Sequence, residues 1–99
     1  MTHRLAPQAA AELDDVWLYV ARESGNLEVA DSLIDAITDR FHLLSLYPAL
    51  GRSREHDLGA GLRSYPVGGY VILYTIESHG IAVLHVFHGS RDIEAEFGR

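Results

Sequence analysis

The chain has neither cysteine nor lysine among its 99 residues. The absence of cysteine excludes disulfide bridges and thiolate metal sites. All eight basic residues are therefore arginines, whose planar guanidinium groups favour bidentate contacts with carboxylate or phosphate. No apolar run approaches the roughly 20 residues of a membrane span, and the first ten residues lack the apolar core of a secretory signal. We therefore expect a cytoplasmic protein that does not enter a membrane.

Motifs for several common chemistries are also missing. The sequence has no Walker loop, no other nucleotide-binding motif and no nucleophilic-serine motif. Gly68-Gly69 lies between two apolar runs and predicts a hairpin turn rather than a phosphate loop. His79, His85 and His88 lie within ten residues, but side-chain alternation along a strand argues against their convergence on a metal. We expect no cofactor and no bound metal.

The acidic charge is concentrated in one part of the chain. The net charge is −6, and Pro7 to Tyr47 alone holds eight acids against two arginines. The remainder holds six acids and six arginines and is neutral. This balance argues against broad nucleic-acid binding. We expect no direct sequence-specific contact between this chain alone and nucleic acid.

The first half of the chain predicts one short strand and two helices. Thr2 to Leu5 is typical of a strand, and Pro7 suits the first position of a helix that Ser24-Gly25 would end. Asn26 is a good N-cap for a second helix, which Pro48 would end. The connection is so short that the two helices must form an antiparallel hairpin.

The second half predicts a loop and three strands. Ala49 to Gly61 is rich in glycine and charge and is interpreted as a loop. The strands are expected at about Leu62–Val67, Tyr70–Glu77 and Ile81–His88, followed by one helical turn within Ile93–Phe97. The middle strand is apolar at both its odd-numbered and its even-numbered positions, so both of its faces are apolar. This indicates a strand that is covered, or that binds a partner, on its second face.

Together these elements predict one domain over residues 1–99 with the order β-α-α-β-β-β. The helix hairpin would pack on one face of a small, mainly antiparallel sheet, an α+β arrangement.

Several short motifs then match a known family. They are Gly51-Arg52 after the second helix, Leu62-Arg63 at the start of a strand, Tyr70-x-Ile72-x-Tyr74 in the next strand, and the run Val86 to Asp92. With this layout the chain resembles the RelE/ParE toxin superfamily over essentially its whole length. It is most similar to the ParE branch, the plasmid-stabilisation toxins.

The resemblance implies a toxin of a type II toxin–antitoxin pair. ParE-like members are similar to poisons of DNA gyrase, and the partner would be a cognate antitoxin, ParD-like with a ribbon-helix-helix domain, in a hetero-oligomer. RelE-like members instead cut messenger RNA on the ribosome with basic residues and a C-terminal Tyr or His. The lack of lysine here, and of tyrosine after Tyr74, favours gyrase inhibition without enzymatic activity. RNA cleavage, or a detoxified homologue that only binds antitoxin, are the alternatives.

Two candidate target-binding residues lie at the end of the last strand, and a third lies at the start of an earlier strand. Arg91, His88 and Arg63 are the residues we expect to contact the target, and the same three would be catalytic under the RNase alternative. His85 and His88 differ by an odd number, so they would not act as a pair unless a bulge intervenes. His85 is more simply a half-buried strand residue with one hydrogen bond.

A second set of residues is expected to bind the antitoxin. Trp17 and Phe41 lie on the apolar helix stripes and are interpreted as core. Off those stripes lie further apolar side chains, which predict an exposed surface for a partner. An arginine that suits antitoxin carboxylates completes this set. Its members are Leu18, Tyr19, Leu43, Leu46 and Arg52.

Overall fold

The computed structural model describes residues 2–89, which form two helices and a five-stranded sheet. The elements in chain order are β1 (Thr2–Leu5), α1 (Pro7–Ser24), α2 (Leu27–Leu46), a 3-10 turn (Pro48–Leu50), β2 (Arg52–Ser53), β3 (Leu62–Val67), β4 (Tyr70–Glu77) and β5 (Gly80–His88). The expected helical turn within Ile93–Phe97 lies outside the described residues.

Both helices begin and end where their capping residues require. Pro7 occupies the first turn of α1, where its missing N–H would have had no partner. Gly25 ends α1 with φ of 65° and donates its N–H to the carbonyl of Ala21, a left-handed cap that favours glycine. The Asn26 side chain accepts the N–H groups of Glu28 and Val29 at the start of α2.

The strands lie in the order β1-β5-β4-β3-β2. β1 pairs in parallel with β5, and the other neighbours are antiparallel. The expected fold class, a helix hairpin on a mainly antiparallel sheet, is confirmed. Gly68 and Gly69 join β3 to β4 with φ of 55° and 84°, a two-residue turn whose positive φ values glycine adopts without strain.

The interpretation of Ala49 to Gly61 as a loop is incomplete. This segment includes most of the 3-10 turn and also β2, in which Arg52 and Ser53 pair with Ser64 and Arg63 of β3. A two-residue strand is too short to leave an apolar alternation in the sequence, so its pairing becomes visible only in the structure.

Each face of the sheet has its own apolar cluster. The helices cover one face, where Ile37, Phe41, Ile72, Tyr74 and Val83 are fully buried. On the opposite face the cluster consists of Leu58, Leu73 and Phe87, with Leu62 and Val71 packed against it. The loop between β2 and β3 supplies Leu58, which explains why β4 is apolar at both parities.

Among residues 2–89, no helix is long and apolar enough to cross a membrane.

Phe41 lies in the core as expected, but Trp17 is only partly buried. The prediction for Trp17 is wrong because its indole N–H reaches outward to the Asp31 carboxylate of α2, at 2.7 Å.

Candidate functional site

Three of the motif residues meet in one hydrogen-bonded knot, formed by Gly51, Arg63 and Tyr74. The Tyr74 hydroxyl is buried, accepts the Gly51 N–H at 2.9 Å and donates to the Pro48 carbonyl at 2.6 Å. A Cβ atom at position 51 would lie 2.7 Å from Cε1 of Tyr74, so the ring leaves room only for glycine. The knot fastens the chain after α2 to the central strand β4.

Arg63 completes this knot from β3. Its Nε donates to the Gly51 carbonyl at 3.0 Å, and its Nη2 donates to the carbonyls of Ala49 and Gly51 at 3.1 and 2.7 Å. Arg63 pairs with Tyr74 and His88 pairs with Tyr70. The two residues are therefore roughly 13 Å apart along the strands and roughly 10 Å apart across the sheet. The structure does not bring Arg63 and His88 together.

A bulge in β5 determines the surroundings of His85. The register shifts so that Leu73 faces His85 while Tyr74 faces Val83, which leaves one extra residue between them. The bulge precedes His85 and does not lie between His85 and His88. The expectation for His85 fits this position: its side chain is 25% exposed and its Nδ1 lies 3.2 Å from Glu12.

Glu12 of α1 binds the edge of β5 beyond the last residue that pairs with β1. One carboxylate oxygen accepts the Val86 N–H at 2.9 Å, and the other contacts His85 and accepts from Gln8 at 3.3 Å. An N–H at a strand edge is otherwise open to pairing with another chain. Glu12 therefore orients α1 along β5 and closes this part of the edge.

A cleft of about 410 Å³ lies between α1 and the C-terminal half of β5. We call it the α1–β5 cleft; its described lining is Glu12, Asp15, Val16, Tyr19, Tyr70, Val86, Phe87 and His88. The rings of Tyr70 and His88 meet edge to face, with centroids 5.2 Å apart. Burial, and in second place the nearby Tyr19, raise the pKa of Tyr70. A raised pKa favours the protonated phenol, which can both donate and accept a hydrogen bond at this wall of the cleft.

Comparison with known proteins assigns the family. The family model described as the ParE toxin of the type II toxin–antitoxin system parDE matches residues 4–93. The chain belongs to the ParE toxin family. Toxin ParE3 of Caulobacter vibrioides is 32% identical over 90 residues, which cover 91% of this chain and 88% of that protein. Toxin ParE1 of the same organism is 28% identical over 96 residues and covers 97% of each chain.

A solved structure agrees with the fold of this ParE chain. It is a chain of the chromosomal ParDE toxin–antitoxin system from P. aeruginosa, with a TM-score of 0.75 and 19% sequence identity. The match covers 89% of this chain and 95% of the other.

The residues predicted to bind antitoxin fall at two ends of the ParE hairpin. Leu18 and Tyr19 are 43% and 60% exposed, Leu46 is 45% exposed and Leu43 is half-buried. Leu18 lies six residues before the end of α1, whereas Leu46 is the last residue of α2. At 1.5 Å per residue, the two leucines are roughly 20 Å apart along the antiparallel hairpin. They form separate surfaces rather than one patch.

Arg52 and Arg54 are neighbours in sequence but have different surroundings. Arg52 is exposed on β2, where it follows Leu46, Tyr47 and Leu50, three exposed apolar residues. Arg54 contacts the Asp57 carboxylate and donates to the Ser64 hydroxyl at 3.1 Å. The hydrogen bond from Arg54 to Asp57 is the main reason that the pKa of Asp57 is lowered. Arg52 is therefore the exposed cation of β2, as a partner contact requires, and Arg54 organises the loop that carries Leu58.

Sequence reasoning missed several residues that build the cleft. Arg91, the strongest sequence candidate, lies outside the described residues. The sequence pattern does not mark Glu12, Asp15 and Tyr70 as site residues, although Tyr70 belongs to a motif of β4. Glu12 is 74 residues from Val86 in the chain, and no local pattern links them. The available signal was the acidic first half of α1, which lies opposite the strand-end histidine.

Proposed function

We propose that this ParE-family toxin inhibits DNA gyrase in the cytoplasm through protein–protein contact, and that a cognate antitoxin neutralises it in a hetero-oligomer. The single observation that carries the proposal is the ParE family match over residues 4–93. The two relatives named toxin ParE3 and toxin ParE1 support it, and the solved relative comes from a ParDE system. By analogy the antitoxin is ParD-like, with a ribbon-helix-helix domain.

The end of β5 is the proposed target surface. His88 closes the α1–β5 cleft there, and Arg91 follows it in the chain. Arg63 would support target binding indirectly, because its guanidinium donates to the backbone carbonyls of Ala49 and Gly51 rather than to a target. Residues at a strand end are well suited to contact a large partner, because a rigid sheet positions them.

The geometry supports the gyrase proposal better than RNA cleavage. A nuclease needs basic groups that converge on one phosphate. Arg63 and His88 are separated along and across the sheet, and the Arg63 guanidinium already serves backbone carbonyls. The described residues therefore offer no pair of these candidates around a common phosphate position.

The proposal is tested by inducing the chain without antitoxin in bacteria and measuring DNA breaks, plasmid supercoiling and transcript cleavage in one culture. We expect DNA breaks and altered supercoiling with intact transcripts. Transcripts cut within codons, together with normal supercoiling, would transfer the chain to the RNase alternative. Healthy cells, despite full expression and antitoxin binding, would identify a detoxified homologue.

Arg91→Ala is the matched variant in the same assay. It should relieve growth inhibition at equal expression, because it removes the proposed target contact and leaves the knot and the cleft residues unchanged. Arg40→Ala removes the same charge from an exposed position of α2 that does not line the cleft, and this variant should remain toxic. A fully toxic Arg91→Ala would remove this residue from the target surface.

A further inference from the structure

The α1–β5 cleft combines features that select a cation. Asp15 is an exposed carboxylate at its rim, and Glu12 lies beside it with both oxygens already in contact with β5 and α1. Tyr19 and Tyr70 add two phenol rings, whose faces attract cations. The described lining contains no lysine or arginine. The basic side chain of the described lining is the imidazole of His88, so two carboxylates and two phenols stand against one imidazole.

Tyr70 supplies an independent sign of a ligand. The residue is 8% exposed, and among residues 2–89 its hydroxyl has no hydrogen-bond partner, unlike the hydroxyl of Tyr74. No fully enclosed side-chain oxygen in this part of the chain lacks a partner, so the Tyr70 oxygen must reach accessible space, and the space that Tyr70 lines is the cleft. The Tyr70 oxygen therefore faces the cleft with an acceptor that a bound donor can use.

We propose that the α1–β5 cleft receives a basic side chain, best an arginine, of the antitoxin. The aliphatic stem would pack on Val16 and Val86, and the guanidinium would donate to Asp15 and to the hydroxyl of Tyr70. Tyr19 would cover the guanidinium from the rim. Arginine suits this site because its planar head stacks on aromatic rings while it donates in its own plane.

This inference rests on the proposed function, since it names the antitoxin chemistry at the toxin surface. It also gives neutralisation a physical route. A basic side chain in the cleft would bring the antitoxin against His88, which is part of the proposed target surface. The partner that fills the cleft would then exclude the target from the end of β5.

The binding chemistry is tested on the full 99-residue chain by titration with N-acetyl-arginine methylamide, with amide chemical shifts as the readout. The uncharged citrulline analogue is the control ligand. Shifts are expected at Tyr19, Tyr70 and Val86 and not at Leu58, which lies on the opposite face. Asp15→Asn should weaken this binding by about threefold, as expected for one partly exposed charge pair, whereas Asp35→Asn on α2 should leave it unchanged. Tyr70→Phe should weaken it as well.

Several outcomes overturn the inference. Equal shifts from arginine and citrulline, no shifts at the cleft at the highest soluble concentration, or equal binding by the two aspartate variants would each contradict it. The antitoxin encoded beside this chain should also bind Asp15→Asn more weakly than Asp35→Asn; unchanged affinity would refute the antitoxin as occupant. Because this titration needs no gyrase, arginine binding by a chain that leaves gyrase unaffected would refute only the proposed function.

Discussion

A single phenol oxygen joins two parts of the chain that are far apart in sequence. The Tyr74 hydroxyl accepts from Gly51 and donates to Pro48, and Arg63 adds hydrogen bonds to the same backbone. The Gly51-Arg52 and Leu62-Arg63 motifs that carry the family resemblance therefore include structural residues. A motif residue can identify a family through the contacts that hold its fold.

Tyr74→Phe should lower the free energy of unfolding by about 1–3 kcal/mol, because it leaves a buried N–H and a carbonyl without their partner. Urea unfolding followed by circular dichroism measures the change. Tyr65→Phe is the matched control, since the Tyr65 hydroxyl has no hydrogen bond within residues 2–89 and its ring also packs on the main core. If both variants lose equal stability, the knot contributes nothing specific.

An ion pair joins the first strand to β4 across β5. β1 is exposed along its length, and Arg4 reaches across β5 to Glu77 at the end of β4, with an N–O distance of 2.7 Å. Its hydrogen bond, and then its charge, lower the pKa of Glu77. A lowered carboxyl pKa stabilises the fold above the pKa of the unfolded state, and this contribution is lost as pH falls through the folded-state pKa.

Glu77→Gln should therefore lower the urea midpoint slightly at neutral pH, and the difference from the parent chain should vanish in acid. The effect should also shrink at high salt, because both side chains are exposed. Glu23→Gln, an exposed acid at the end of α1, is the control. A difference that persists unchanged at a pH below the folded-state pKa of Glu77 would show that the ion pair is not its cause.

The two ends of the helix hairpin call for separate tests of antitoxin binding. Leu46→Ser should weaken binding of the antitoxin by about tenfold if this exposed leucine is an anchor of the interface. Ile76→Ser is the matched control, because Ile76 is 49% exposed on β4, outside the helix hairpin. Calorimetry with the purified antitoxin gives both affinities. Equal affinity of the two variants would remove Leu46 from the interface.

At the scale of the whole molecule, local patterns predicted the elements and long-range contacts determined the site. Pro7, Asn26 and Gly68-Gly69 act through their own backbone, so their positions indicated the helix starts and the hairpin turn. The pairing of Glu12 with β5 and the assembly of the knot join residues far apart in sequence. Such contacts leave no periodic signal.

The separation of the predicted antitoxin residues also depends on the whole fold. Leu18 and Leu46 share an apolar, off-stripe character in the sequence, and this suggested one surface. The antiparallel hairpin places them near opposite ends of the helices. Tyr19 instead joins Tyr70 and His88 at the cleft. The molecule therefore offers a partner two apolar contacts on the helices and an acidic, aromatic cleft beside β5.

The most direct test of the central claim is a supercoiling assay with purified gyrase, relaxed plasmid, ATP and the purified chain. We predict that the chain inhibits supercoiling and traps cleaved plasmid, that prior addition of the antitoxin restores activity, and that Arg91→Ala inhibits less. Full gyrase activity at a large excess of folded chain, together with messenger RNA cleavage in a translation extract, would contradict the account.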